Sequence, residues 1–274
     1  MKKIIDIFLA LSVVVATLYF SFYSYSSAKN LEQIDKSYYE AKSDISDLIK
    51  RRFNSVLSTV TLGTVKIESK KSINLDKLTA KKIILKEKNS NYLMYLAVAV
   101  GVGLLLYFLL DSYTFALMSA IVSITTLLFG IFTPILLIVI HKNVEYLGDI
   151  VLSFESKTIV GTIEHLYHNG NYPVALTILL FSVIVPFIKS LSMLLVLVWK
   201  RMHIATKLVK LFKSLGKWSM LDVFVVSLLL VYLSAGSSAN SYSKLESGTY
   251  IFLIYVIYSI ITSIVVTKYL DLRS

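Results

Sequence analysis

Apolar residues occur along this chain in six long blocks that are separated by polar segments. The blocks cover residues 4–25, 92–110, 115–140, 173–199, 220–236 and 249–267. Each is close to the ~20 residues that a helix needs to cross a ~30 Å hydrocarbon layer. Because unpaired backbone groups are costly in lipid, and the alternation typical of barrel strands is absent from these blocks, helices are expected. The pattern predicts an all-α polytopic membrane protein with about six transmembrane helices.

The polar segment 26–91, between the first two blocks, is predicted to lie outside the membrane. Apolar residues in its first part alternate at spacings of three and four, which indicates an amphipathic helix over residues 29–57. This apolar seam consists of Leu31, Ile34, Tyr38, Ala41, Ile45 and Leu48. Such a helix either projects as part of a coiled coil or packs on neighbouring strands. Short strands are predicted at 65–67 and 82–85, where apolar β-branched residues occur.

A second polar segment, 141–172, carries a clearer pattern. Apolar residues at alternate positions over 144–154 predict a half-buried strand. A short helix is expected to follow, capped by Ser156 and stopped near Gly170. Segments 26–91 and 141–172 are together expected to form a small extracytoplasmic α+β element.

The net charge of +11 is explained by membrane topology. Residues 200–219 contain six basic residues and no acidic residue, and short basic loops of this kind stay in the cytoplasm. Counting membrane crossings from this loop places both termini in the cytoplasm. Trp199 and Trp218 flank the loop, where aromatic interface anchors are expected. A nucleic acid is therefore not an expected partner.

Four parts follow from this topology. Residues 1–25 form a first transmembrane helix, 26–91 the outer segment, 92–114 the second transmembrane helix, and 115–274 the remaining four spans with their loops. The first block also has features of a cleavable signal peptide ending near residue 28. It is longer than the ~7–15 residues of a signal core and ends in aromatic residues, which favours a retained anchor.

Enzyme and metal signatures are weak in this sequence. There is no cysteine, so a disulfide framework and a cysteine-based metal site are both excluded. Gly216 and Lys217 lack the flanking glycine and hydroxyl residue of a phosphate-binding loop. We expect no enzymatic activity, no catalytic residues, no metal and no cofactor.

Two charged residues inside the blocks stand out, because charge is costly in the membrane and usually has a function there. Lys189 lies near the middle of the fourth block, and Asp222 lies about one turn inside the fifth. Consecutive antiparallel helices usually pack together, so the two side chains are predicted to form a buried ion pair. This pair either receives an anionic lipid headgroup or only fixes the helix register. Pro134 and Pro186 are expected to bend their helices, which either opens a cavity between helices or serves packing alone.

Three tracts resemble the paraquat-inducible protein A family over about residues 115–274. They are 170–173 (GNYP), 181–189 (FSVIVPFIK) and 216–226 (GKWSMLDVFVV). The resemblance implies an inner-membrane protein that passes phospholipid between the membrane and a periplasmic MCE-domain partner. Together with the charges and prolines inside the spans, this function makes Lys189, Asp222, Pro186, Ser219 and Pro134 the expected lipid-binding residues.

The chain departs from the better-known members of that family. Those have two membrane modules, each preceded by a zinc ribbon, whereas this chain has one module and no cysteine. The alternative functions are a non-enzymatic scaffold for an envelope complex and, less favoured, a small-solute secondary transporter. The transporter is disfavoured because no inverted repeat and few intramembrane acids occur.

Overall fold

A computed structural model describes residues 2–43, 70–144, 148–199 and 241–271. Seven α-helices and three strands occur within these ranges, together with one 3₁₀ turn and one π-helical segment. In chain order they are α1 (Lys2–Ser43), α2 (Lys70–Leu105), the 3₁₀ turn (Leu106–Phe108), α3 (Ser112–Phe132), β1 (Leu136–Val144), β2 (Gly148–Lys157), α4 (Ile159–His168), α5 (Tyr172–Ile178), the π segment (Leu179–Ile184), α6 (Val185–Val198), β3 (Ser241–Leu245) and α7 (Ser247–Asp271).

Five helical segments in the described ranges are long and apolar enough to cross a membrane. They are Lys2–Glu40, Asp76–Phe108, Ser112–Phe132, Tyr172–Val198 and Ser247–Tyr269. The chain is therefore a multi-pass membrane protein, and the all-α polytopic fold class is confirmed. The predicted span at 220–236 lies outside the described residues, as do the basic loop 200–219 and the predicted strand at 65–67.

The first helix continues well beyond the first apolar block. α1 runs without a break to Ser43, and Leu31 and Ile34 of its predicted seam are buried. Tyr39 stacks on Phe154 of β2, with the ring centroids 4.8 Å apart. The packed form of this helix is thus the one observed over its described part, and the predicted residues beyond 43 lie outside the described ranges.

The strand predicted at 82–85 is wrong, because these residues lie within α2. β-branched residues prefer strands only weakly, and packing context overrides that preference. Here α2 packs along the length of α1. The helix is continuous with the second transmembrane block, so residues 82–85 extend that span instead of pairing in a sheet.

The third span ends at Phe132, whereas the sequence predicted that it would reach residue 140. Pro134 lacks a backbone N–H and disfavours helical geometry in the residue before it. Thr133 accordingly adopts an extended conformation, with φ −81° and ψ 142°. Pro134 therefore ends α3 instead of bending it, and the apolar residues that follow form β1.

The three strands form an antiparallel sheet in the order β2-β1-β3. Leu136 pairs with Lys157 of β2 on one side and with Leu245 of β3 on the other. β2 overlaps the predicted strand, but its partner β1 comes from the apolar block and β3 was not predicted. We call the end of the bundle that carries this sheet the sheet end.

The short helix α4 confirms the predicted helix after β2, but its cap differs. Thr158 Oγ1 accepts a hydrogen bond from Gly161 N at 2.9 Å, whereas Ser156 pairs with Leu137 in the sheet. Because β2 extends to Lys157, Ser156 is held in the ladder and Thr158 is the first residue free to cap. α4 ends at His168, and Gly170 follows with a φ of +78°, which glycine adopts without strain.

Candidate intramembrane site

A polar patch lies inside the membrane bundle where α6 packs on α3. Lys189, Ser190 and Ser192 of α6 are almost fully buried, and Lys189 is only 5% exposed. Lys189 lies ten residues before Trp199, which is about 15 Å along a helix and about half of the ~30 Å hydrocarbon layer. A lysine at this depth is costly, so it marks a candidate functional site.

The buried hydroxyl groups of α3 and α6 fall into two kinds. Ser192 Oγ donates to Ile188 O at 2.6 Å, and Thr126 Oγ1 donates to Val122 O at 2.8 Å, so both bond their own helix. This use of hydroxyls inside membrane helices was expected. Ser123 and Ser190 instead lie 3.3 Å apart, Oγ to Oγ, and their hydrogen bond joins α3 to α6 beside Lys189. Hydroxyls placed in this way can accept from an ammonium group or donate to a phosphate oxygen.

The helix is distorted directly before Lys189. Residues Leu179–Ile184 form a π-helical segment, and Val185 N donates to Leu180 O, five residues back. Pro186 is buried in the first turn of α6 and has no N–H to donate. Pro186 therefore follows a π-helical distortion of its span, and the bend expected at this proline stays a prediction. π-helical segments occur often at functional sites. The extra residue in the turn changes the direction in which the following side chains point from the helix.

The other predicted site residues have different placements. Pro134 is buried in the turn between α3 and β1, where its carbonyl accepts from Gly248 N at 2.8 Å. Pro134 therefore has a structural role, because this hydrogen bond joins the end of α3 to the start of α7. Trp199 directly follows α6 and is 59% exposed, so its role as an interface anchor stays a prediction. Asp222, Ser219 and Trp218 lie outside the described residues, and the pairing of Lys189 with Asp222 also stays a prediction.

Among the described residues, no group of three or more His, Asp or Glu side chains is placed to hold a metal ion. The patch places the ammonium group of Lys189 and several hydroxyls in an apolar setting. An ammonium group there attracts an anion strongly, because the surroundings screen its charge poorly.

The family model described as Paraquat-inducible protein A matches residues 148–270. These residues, a little under half of the chain, are similar to that family. The resemblance in the sequence is thus confirmed, although the match begins at residue 148 and leaves α1, α2, α3 and β1 outside it. Lys189 and Pro186 lie within the family region, whereas Ser123, the partner of Ser190, does not.

Curated relatives are similar to less than half of the chain. The intermembrane transport protein PqiA of Escherichia coli (strain K12) is 31% identical over 119 residues, which cover 40% of this chain and 27% of that protein. The protein of the same name from Shigella flexneri matches to the same extent. The matched stretch thus spans about a quarter of the length of these relatives. No solved structure matches the chain.

Two polar features outside the family region escaped sequence reasoning. A ladder of small hydroxyl residues is buried along α1, and Asp35 of α1 contacts Lys82 of α2. The ladder consists of Thr17, Ser21, Ser24 and Ser27. Its spacing of three and four residues is a helical signal that was present within and directly after the first apolar block. The Asp35–Lys82 contact joins distant parts of the chain and left no local signal.

Proposed function

We propose that this chain is the inner-membrane component of a lipid transport system, passing phospholipid between the membrane and an MCE-domain periplasmic partner. The observation that carries the proposal is the burial of Lys189 at mid-membrane depth within the family region. The names of the relatives, as intermembrane transport proteins, support a transport role. The phosphate of a lipid headgroup is the anion that a membrane supplies in quantity. A lysine ammonium, a compact charge on a flexible stem, suits such a ligand.

In this proposal the protein holds and releases unmodified lipid and is not an enzyme. Lys189 receives the headgroup phosphate, and the hydroxyls of Ser123 and Ser190 support it. Asp222, predicted on the neighbouring span, balances the charge of Lys189 when no lipid is bound, and Ser219 lines the same site. The distortion before Pro186 provides the space between helices through which a headgroup enters.

The partner is proposed to bind at the sheet end. The sheet, α4 and the polar ends of α1 and α2 lie together there, beyond the apolar parts of the spans. With both termini in the cytoplasm, as the sequence predicts, this end faces the periplasm. A lipid leaving the Lys189 site toward the sheet end would then reach an MCE-domain protein directly.

The test replaces Lys189 by Met, which keeps the length of the side chain and removes its charge. Lys268→Met, at an exposed lysine in the last turn of α7, is the matched control. Each variant is purified gently, and its bound phospholipid and captured proteins are identified by mass spectrometry. Transfer of a fluorescent phospholipid to the captured partner is measured in parallel. We expect Lys189→Met to lose bound lipid and transfer while Lys268→Met retains both.

The scaffold alternative is favoured by one observation: beyond the apolar spans, α1 packs on both α2 and β2, and Asp35 contacts Lys82. The same experiment separates the two functions. If Lys189→Met remains folded, captures the partner and transfers lipid at the rate of the unmodified chain, the lipid-handling role of Lys189 is wrong. Capture of a partner without any lipid transfer in the unmodified chain would favour the scaffold.

A further inference from the structure

A groove runs between α1 and α3 at the end of the bundle opposite the sheet end. Its volume is about 470 Å³. Pockets that hold small molecules have volumes of about 300–1,000 Å³. The groove therefore has room for part of a lipid, and it lies outside the region that matches the family.

The polarity of the groove changes along its length. Its mouth is lined by Lys3, Asp111, Tyr113 and Thr114. Its body is lined by apolar residues that include Ile7, Leu11, Val14, Leu117 and Ile121. From Lys3 to Val14 the helix rises about 16 Å, at about 1.5 Å per residue. That depth is close to half of the ~30 Å hydrocarbon layer, so the groove spans one leaflet.

Two opposite charges stand at the mouth. Lys3 and Asp111 are both exposed, and within the part of the chain that the structure describes neither takes part in an ion pair. Asp111 caps α3, because its Oδ2 accepts from Tyr113 N at 3.4 Å. Its second oxygen, Oδ1, is left for another donor. The Tyr113 hydroxyl at the mouth already donates to Leu197 O. The charged groups that line the mouth are Lys3 and Asp111.

We propose that this groove binds one molecule of a zwitterionic phospholipid with a primary ammonium headgroup, of the phosphatidylethanolamine class. The phosphate lies at Lys3, the ammonium donates to Asp111, and an acyl chain fills the apolar body. An anionic lipid without an amine would meet repulsion from Asp111. A choline headgroup has no N–H to donate to the carboxylate, whereas a primary ammonium has three.

This inference goes beyond the transport proposal. The groove shares no residue with the Lys189 site. Binding in the groove is therefore expected to survive Lys189→Met, and a failure of either proposal leaves the other standing.

The full chain is tested in detergent by native mass spectrometry with added dioleoyl phosphatidylethanolamine, phosphatidylcholine and phosphatidylglycerol. We expect the ethanolamine lipid to bind most tightly. Lys3→Gln should weaken its binding by up to about fivefold, the upper end of what one exposed ion pair contributes. Lys2→Gln, at an exposed neighbour that does not line the groove, should leave it unchanged. Asp111→Asn keeps a residue that caps helices well, and it should abolish the preference over phosphatidylglycerol.

A second pair of variants tests the body of the groove. Ile7→Trp fills it, whereas Ile4→Trp adds the same bulk at an exposed position outside its lining. We expect only Ile7→Trp to lower bound phosphatidylethanolamine, with both variants unfolding at similar temperatures. Equal binding of the three lipids by the unmodified chain would overturn the proposal. So would equal losses in Lys2→Gln and Lys3→Gln, or the same lipid binding by Ile7→Trp and Ile4→Trp.

Discussion

The contact between Asp35 and Lys82 offers a sharp test of how α1 and α2 are held together. Lys82 Nζ lies 2.7 Å from Asp35 Oδ1, and the Asp35 side chain is 5% exposed against 24% for Lys82. At this distance the ammonium and the carboxylate form a charge-assisted ion pair. The same ammonium lies 4.8 Å and 4.7 Å from the ring centroids of Tyr38 and Tyr39.

The perturbation is Lys82→Met, which leaves the Asp35 carboxylate buried without its counter-charge. Removing one partner of a fully buried pair costs about 3–5 kcal/mol. An exposed pair contributes only about 0.2–1 kcal/mol. Because Lys82 keeps a quarter of its side chain in contact with solvent, we expect an intermediate cost of about 2 kcal/mol. At about 2–4 °C per kcal/mol, this corresponds to a fall in Tm of roughly 4–8 °C.

The assay is thermal unfolding of the full chain in detergent, followed by circular dichroism. Lys81→Met is the matched control, because Lys81 is exposed on the same helix. A double variant, Asp35→Leu with Lys82→Met, removes both charges and should recover most of the lost stability. The reasoning is refuted if Lys82→Met and Lys81→Met unfold at the same temperature. It is also refuted if the double variant is less stable than Lys82→Met alone.

Three further predictions concern packing and membrane depth. Gly248→Ala should lower Tm and yield, because the added Cβ would meet backbone carbonyls in the turn after α3, one of them at 2.6 Å. Gly101→Ala is the control, because a Cβ at Gly101 has open space, and this variant should unfold at the temperature of the unmodified chain. An equal fall in Tm in both variants would contradict the packing around Gly248. Tyr258→Phe should cost about 1 kcal/mol of unfolding free energy, because its buried hydroxyl donates to a carbonyl of α2 at 2.8 Å. Tyr250→Phe, at an exposed tyrosine, should cost less than half as much, and a similar loss in both would disprove the role of that hydrogen bond. Trp199 is expected at the membrane interface. In the Trp218→Phe variant it is the one remaining tryptophan, and its fluorescence should be quenched more by lipids brominated near the headgroup than by lipids brominated near the chain end. The opposite order of quenching would place Trp199 in the hydrocarbon core.

The candidate site shows where sequence reasoning succeeded and where it stopped. Lys189 was found because a single charge in a long apolar block is conspicuous without any knowledge of its neighbours. Its hydroxyl neighbours were harder to rank, since serine and threonine in spans commonly bond their own helix. Only the packing of α6 on α3 distinguished Ser123 and Ser190, which bond each other across two helices, from Ser192, which bonds its own helix.

The membrane spans were determined by the sequence itself, because the free energy of placing a helix in lipid depends on the composition of about 20 consecutive residues. The sheet and the polar contacts were decided by the tertiary structure. An apolar run at 136–140 suits a span as well as a strand. It became β1 because Pro134 ended α3, and because the next strand, β2, and the remote strand β3 supplied its hydrogen bonds. Residues 82–85 became helical because α2 packs on α1, and Lys82 meets Asp35 only in that arrangement. Local composition determines which segments enter the membrane, whereas pairing between remote residues depends on how the segments pack.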